Sequence, residues 1–355
     1  MCRGQRLGPD VSVLSAALMS CIVQVYYKCN MENVLQKFNN QMAENQQWMS
    51  NLCEDLWDIP LYDLSIPGSH DTMTYCLDKK SPVDPSSPKL LLFLEKYVPN
   101  ITRAIILRWS ATQTVSVTGQ LDAGIRYLDL RIAPRPDVFS NLYFVHGLYT
   151  SRTVEETLLE IADWLQQNPR EVLILGCDNL QSMSPQHHVY LINSIHRIFG
   201  LKLCPKHERP TLRNLWKQNY QVIVCYDHPQ ALIFDYLWPS MPYWWANTTN
   251  THYLLHFLEM KKHSGRPDGF FVAGLNLTEN GSYILKHPFG SMKSMTLPKL
   301  PFLYKWVQKQ HPGGSGDATN IIAEDLIGSD DFVSAVIKLN MKLLDRTDAL
   351  LSYKT

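Results

Sequence analysis

The chain has 355 residues, 45% of them hydrophobic, and its 33 Lys and Arg are balanced by 33 Asp and Glu. That is enough apolar material for one large domain or two ordinary ones. A formal charge of zero removes any global electrostatic drive toward nucleic acid or anionic membrane and leaves only local basic pockets.

At the N-terminus, Arg3 and Arg6 precede a mostly apolar run over residues 11–27, the pattern of a signal peptide or a weak anchor. A spanning helix takes about 20 predominantly apolar residues, and Ser12, Ser15, Ser20 and Gln24 interrupt this run. The other reading is a dispensable extension, with Met31 able to start a chain whose first structured element covers residues 49–57. Cys2 at the second position excludes N-myristoylation. The sequons at Asn100, Asn247, Asn276 and Asn280 matter only if the chain is secreted. Eight cysteines show no C-x-x-C and no zinc-like spacing, which favours a reducing compartment.

From residue 58 onward, apolar and β-branched runs near 61–66, 126–132, 142–146, 171–177, 221–226, 269–275 and 319–324 alternate with helix-like segments. Strand-then-helix alternation predicts a parallel sheet. The clearest helix is predicted over 154–167: Thr153 and Glu156 form a capping box, and Val154, Leu158, Ile161 and Leu165 share one face. Ser184-Pro185 opens another that stops at Gly200, a third covers about 251–262, and the last about 330–344. Residues 80–88 and 312–316 read as surface loops.

Neither a linker nor a composition break divides residues 58–344. The expected organisation is an extension over 1–48, one domain over 49–345 and a tail over 346–355. About seven strands in one domain predict an α/β fold of the (β/α) barrel type, irregular because the eighth strand is not obvious. In such a barrel chemistry sits at the C-terminal strand ends, which here carry His70-Asp71, Arg131, His146, Asp178, Asp227, Asn276 and Asp325. No G-x-G-x-x-G and no G-x-x-x-x-G-K-[ST] is present, so nucleotide binding has no support.

Ser65-Ile66-Pro67-Gly68-Ser69-His70-Asp71-Thr72 delivers an imidazole and a carboxylate where an apolar strand stops. His146 occupies the same kind of place, after Leu142-Tyr143-Phe144-Val145 and before Gly147. Two such histidines suit the roles of general base and general acid on one phosphate, and Arg131 is suited to hold that phosphate bidentately. A lone strand-end histidine is ordinarily a hydrogen-bonded surface residue, and what sets these two apart is their occurrence with Arg131 in the motif context of the family resemblance that residues 65–72, 120–131 and 144–147 carry. For Asp129 a salt bridge or turn contact is as good a reading as a direct role. His187-His188, His207, His252, His256 and His263 read as ordinary surface or helix residues. Tyr243-Trp244-Trp245 reads as core packing, with insertion at a bilayer interface as the alternative.

Residues 65–72, the run Gln120-Leu121-Asp122-Ala123-Gly124-Ile125-Arg126-Tyr127-Leu128-Asp129-Leu130-Arg131 and Phe144-Val145-His146-Gly147 resemble the X-region motifs of phosphatidylinositol-specific phospholipase C. Their order and spacing over 58–344 most resemble the small X-domain-only proteins of animals. The resemblance implies a distorted TIM barrel without the PH, EF-hand, Y-region and C2 parts of the signalling enzymes. It implies a phosphodiester cleavage in which His70 takes the inositol 2-hydroxyl proton and that oxygen attacks phosphorus. His146 then protonates the departing diacylglycerol oxygen, and Arg131 neutralises the phosphoryl charge. Asp71 would orient His70 and Arg131, while Asp325 would hold His70 in its working tautomer, although alternation alone decides between Asp325 and Glu324.

Asp178, Tyr226 and Asn276 are the expected head-group contacts, matched too loosely to assign hydroxyls. Calcium-dependent members carry an acidic residue where this chain has Arg131, so neither metal nor other cofactor is expected. The expected partner is a membrane phospholipid met in transient surface contact, with no nucleic acid. The expected location is cytoplasmic with peripheral membrane association. A head-group-binding or scaffolding protein without useful turnover is the alternative, and a metal-dependent glycerophosphodiesterase-like barrel is a third reading that lacks its acidic ligand cluster.

Overall fold

The computed structural model describes residues 45–138, 141–180 and 182–344. The apolar run at 11–27 and the tail at 346–355 lie outside the described residues, and the described residues fall in one compact unit beginning at Asn45. Among the described residues no helix is long and apolar enough to cross a membrane.

In chain order the strands are β1 (Ile66–Ser69), β2 (Tyr127–Pro134), β3 (Leu142–His146), β4 (Leu148–Thr153) and β5 (Leu173–Asp178), then β6 (Val222–Tyr226), β7 (Leu237–Pro239), β8 (Tyr243–Trp244), β9 (Val272–Gly274) and β10 (Ile321–Glu324). Eight of them run parallel in the order β7-β6-β5-β2-β1-β10-β9-β8. The last strand thus pairs with the first, and the sheet curls back on itself. Among the described residues β7 and β8, consecutive in the chain, share no ladder, so the barrel is open on that side.

Three expectations are corrected here. Residues 61–63 form a single 3-10 turn, and the first strand starts at Ile66. Pro67 is tolerated inside β1 because β2 begins opposite Gly68, which leaves no strand acceptor for an N–H at position 67. The run at 142–146 is not a barrel stave. Only a short loop joins it to Pro134, and a parallel return needs a crossover of about a dozen residues. It folds back antiparallel on β2 instead, and β4 extends that hairpin. The staves missing from the sequence pattern are β7 and β8, three and two residues long. Trp244 of β8 packs on Phe271 with ring centroids 4.7 Å apart, so the aromatic triplet contributes to the core, while Trp245 stands half exposed and donates its indole N–H to Thr278.

The predicted helices form close to their expected limits. Val154–Gln167 carries the full Thr153/Glu156 capping box. Pro185–Phe199 is capped by Ser184 and ends at Gly200 with φ 47°. Thr251–His263 follows, while the last helix is Phe332–Leu339, shorter than the pattern suggested.

Strand register decides which side chains enter the barrel. Ile66 pairs with Ile321, Tyr127 with Ile174, Ile174 with Ile223 and Ile321 with Val272, and all six pack in one buried cluster. Tyr127 lies across the floor. A Cβ on Gly68 would come within 2.8 Å of its ring and one on Gly176 within 2.7 Å of its hydroxyl, so both positions require glycine. Counting in twos toward the C-terminal ends, the inward positions become His70, Asp129 and Arg131, Asp178, Asn276 and Asp325.

Candidate active site

His70 leaves the end of β1 with its backbone N–H still donating to Glu324 O at 3.2 Å. Its carbonyl accepts from Gln113 Nε2 at 3.0 Å and Thr112 Oγ1 at 3.2 Å, which fixes the buried ring over the barrel mouth. Nδ1 faces Asp325 Oδ1 at 2.8 Å. Nε2 faces two N–H donors, Arg131 Nη2 at 3.0 Å and Asn276 Nδ2 at 3.4 Å. The closer carboxylate, Asp325, sits on Nδ1, and the two N–H donors on Nε2 favour the neutral tautomer with the proton on Nδ1 and the lone pair on Nε2, although Asp71 Oδ2 also approaches Nε2 at 3.2 Å. Burial pulls the His70 pKa down, but the Asp71 and Asp325 charges outweigh it and the net shift is upward.

Asp71 adopts a left-handed backbone, φ 45°, a conformation aspartate tolerates better than most residues. The turn brings its buried carboxylate within 3.2 Å of His70 Nε2, 3.4 Å of His146 Nε2 and 2.6 Å of Arg131 Nε. Burial alone would raise its pKa. Arg131, His146 and His70 together hold it below the ordinary value.

Arg131 also reaches Asp129 Oδ2 at 3.3 Å, and that same oxygen accepts the Asp71 backbone N–H at 3.2 Å. Asp129 therefore braces both partners. Although burial disfavours the guanidinium charge, Asp71 and Asp129 more than compensate, so Arg131 stays protonated.

His146 comes from the hairpin rather than from a stave. Its Nδ1 donates to the Ser110 carbonyl at 2.9 Å, which turns Nε2 toward Asp71, and its ring centroid lies 6.5 Å from that of His70. Two imidazoles thus flank one carboxylate, with one guanidinium beside it.

Asp325 is the inward residue of its pair. Ala323 belongs to the barrel core and pairs with Gly68, so Glu324 points out and Asp325 points in. Burial raises the Asp325 pKa, and His70 offsets part of the rise. Asn276 is buried with its Oδ1 accepting from the Tyr243 hydroxyl at 3.1 Å. Asp178 ends β5, where burial and the neighbouring Asp129 and Asp227 push its pKa up to about 7.

Tyr226 is corrected. Ile223 and Cys225 of β6 face the barrel core, and Tyr226 has the opposite parity. Its hydroxyl meets His188 Nδ1 at 2.8 Å on the helix Pro185–Phe199, behind the sheet and away from the site. Asp227 is exposed. Gln113 and the Ser110 carbonyl escaped the sequence reading because they act through amide and backbone groups that carry no motif, and Tyr243, which reads as core packing, belongs beside the site on a two-residue strand that shows no period.

Ligand atoms of His70, Asp71 and Asp129 lie within 4.8 Å of one another, a spacing compatible with a metal ion. Here the Arg131 guanidinium touches all three residues. Calcium takes about six to eight oxygens, so this set, with few oxygens and a fixed cation already ion-paired to both carboxylates, does not fit it.

An open parallel barrel with this polar pocket at its strand ends defines the class. It is the fold of the phosphatidylinositol-specific phospholipases C. The enzyme of Listeria monocytogenes superposes with a TM-score of 0.58 at 20% identity, over 83% of this chain and 98% of that one. A Staphylococcus aureus structure gives 0.55 at 16%, over 84% and 99%. The PI-PLC X domain model matches residues 107–257. PI-PLC X domain-containing protein 1 of Homo sapiens is 55% identical over 302 residues, 84% of this chain and 94% of its own length. The Danio rerio protein of that name is 44% identical over 298 residues, 83% and 96%. PI-PLC X domain-containing protein 3 of Mus musculus is 39% identical over 300 residues, 82% and 92%. The chain belongs to the PI-PLC X domain family.

Proposed function

We propose that the protein cleaves the phosphodiester of phosphatidylinositol-type lipids by paired imidazole catalysis without calcium. The observation that carries this reading is the placement of His70 Nε2 and His146 Nε2 on either side of Asp71, 3.2 and 3.4 Å away, with Arg131 beside them.

His70, with its lone pair on Nε2, removes the proton of the inositol 2-hydroxyl, and the oxygen closes on phosphorus. Arg131 neutralises charge gathering on the phosphoryl oxygens. His146, held through Nδ1, gives its Nε2 proton to the diacylglycerol oxygen as that bond breaks. In a second step His146 takes a proton from water, which opens the cyclic phosphate while His70 returns its proton. Asp325 fixes the tautomer of the base, and Asp71 with Asp129 fixes the guanidinium. Asp178 and Asn276 lie on the head-group side. Asp227 and the partly ionised Asp178 there favour a ring bearing hydroxyls over one bearing further phosphates, while Asp129 is held by Arg131.

The deciding experiment is turnover of purified protein on phosphatidylinositol vesicles with chelator present. Diacylglycerol release supports the reading. Vesicle binding without release would make this a head-group-binding protein instead.

A further inference from the structure

The base nitrogen of His70 is oversupplied with donors. Its one lone pair faces both Arg131 Nη2 at 3.0 Å and Asn276 Nδ2 at 3.4 Å, and a single lone pair serves a single N–H well. Donors that converge in this way call for further oxygens at the same point. In the phospholipase reading the phosphoryl oxygens take Arg131. Asn276 then needs an oxygen of its own, and the nearest in the reaction is the hydroxyl that gives its proton to the same nitrogen.

The Asn276 amide is held so that its NH2 end faces this point. The Tyr243 hydroxyl donates to Oδ1 at 3.1 Å, and the Tyr243 ring lies beside that of His70, centroids 6.3 Å apart. Burial, together with Asp129, Asp325 and Asp71 against the opposing Arg131, pushes the phenol well above its usual value, so it stays a donor. Tyr243 reaches Asn276 because β8 lies against β9, with Tyr243 opposite Val272, and because Gly274 lacks a side chain. A Cβ on Gly274 would come within 2.3 Å of Asn276 Oδ1 and 2.5 Å of the Tyr243 ring. Past the ladder, Trp245 Nε1 donates to Thr278 Oγ1 at 2.8 Å and Thr278 N to Thr248 O at 2.9 Å, so the two segments are tied together on either side of the pair.

We propose that Asn276 is a catalytic residue that donates a hydrogen bond to the attacking 2-oxygen, and that Tyr243 is the positioning residue that aims it. The inference rests on the phospholipase reading. As the O–H bond breaks and the O–P bond forms, the proton passes to His70 Nε2 and negative charge gathers on the 2-oxygen. The Asn276 N–H meets that charge and keeps its own proton, so the proton balance of the step is unchanged. A donor aimed at charge that develops only in the transition state speeds the chemical step more than it tightens binding.

The test is steady-state kinetics of the full chain on a water-soluble short-chain phosphatidylinositol, alongside calorimetry of myo-inositol 1-phosphate against its 2-deoxy analogue. Asn276→Ala should lower kcat about a hundredfold with KM little changed. Tyr243→Phe should lower kcat about tenfold and add nothing once Asn276 is replaced, a coupling that lost packing would not produce. On an umbelliferyl inositol phosphate, whose leaving group departs without a proton, His146→Ala should recover and Asn276→Ala should not. If Asn276→Ala loses its melting transition, Asn276→Asp keeps the shape, presents an acceptor in place of the donor and must show the same loss. In calorimetry the wild type should prefer the ligand with the 2-hydroxyl about fivefold, and the Asn276 variant should not. Wild-type kcat in a folded Asn276 variant or in Tyr243→Phe overturns the proposal, as does a Tyr243→Phe deficit that persists without Asn276. A wild type that turns over no lipid yet keeps that preference strikes the phospholipase reading and leaves the Asn276 contact standing, and one with neither turnover nor preference overturns both.

Discussion

The Asp325 carboxylate lies 2.8 Å from Nδ1 of His70 and thereby decides that the proton-accepting nitrogen is Nε2, the one turned toward Arg131 and Asn276. Asp325→Asn keeps the shape and removes the charge. It should cost about a hundredfold in kcat, as His70→Ala and His146→Ala each should at minimum. Circular dichroism should show all three folded. Normal turnover in either histidine variant would remove that residue from the chemistry.

The pH dependence follows from the sign of the His70 shift. Its folded pKa is raised above 6.5, so the stability it contributes is full below 6.5 and is lost as pH rises through the raised value. Catalysis needs the neutral ring, so kcat/KM should climb over the same window in which that stability fades. Asp325→Asn removes one cause of the rise, and its acid limb should move to lower pH. A limb that stays in place would mean a different group titrates.

Asp71 behaves oppositely. Its pKa lies below 3.8, so its stabilising contribution is complete above 3.8 and disappears as pH falls through the lowered value. Asp71→Asn leaves Arg131 short of its nearest counter-charge, and loss of one partner of a buried pair costs about 3–5 kcal/mol. Thermal melts should show the variant less stable at neutral pH and the gap closing in acid.

Wild-type activity should be indifferent to EGTA, since the Arg131 guanidinium already stands on both Asp71 and Asp129 where a cation would sit. Arg131→Asp should be inactive or become calcium-dependent. An enzyme silenced by chelator and restored by calcium contradicts the role given to the guanidinium.

Attack by the substrate's own 2-hydroxyl requires inositol 1,2-cyclic phosphate as first product. Phosphorus NMR of an early time point checks this, and a 2-O-methyl analogue should bind and resist cleavage. Acyclic phosphate appearing first would mean that water attacks directly. On the same assay, Asp178→Asn should raise KM, whereas Tyr226→Phe should leave kcat/KM alone and cost about 1 kcal/mol of stability through the lost His188 contact.

The long β-branched runs made β2, β5 and β6 visible, and the strand-end positions of His70 and Arg131 followed from them. Parity was harder. Asp325 and Glu324 are equally acidic neighbours, and only pairing with β1 tells them apart. For Tyr226 the signal was present, because Ile223 and Cys225 are the inward side of β6 and an adjacent residue must face out. The strands β7 and β8 were illegible because two or three residues show no period, and without them Tyr243 reads only as core packing rather than as a neighbour of Asn276 and His70. His146 does close an apolar run, but that run is a hairpin strand and not a barrel stave.

That placement has a mechanical side. His70 is fixed to the ring of staves by Asp325 and the β1–β10 ladder, while His146 rides on a hairpin joined to the barrel through β2 and to the helix Pro99–Ser110 through Leu148 packing on Ile106 and through the Ser110 carbonyl. The segment that leaves that helix grips His70 as well, since Thr112 and Gln113 donate to the His70 carbonyl two and three residues after the Ser110 carbonyl accepts from His146 Nδ1. One stretch of five residues, Trp109 to Gln113, therefore sets the spacing between the two imidazoles, and any shift of it would be felt at both rings.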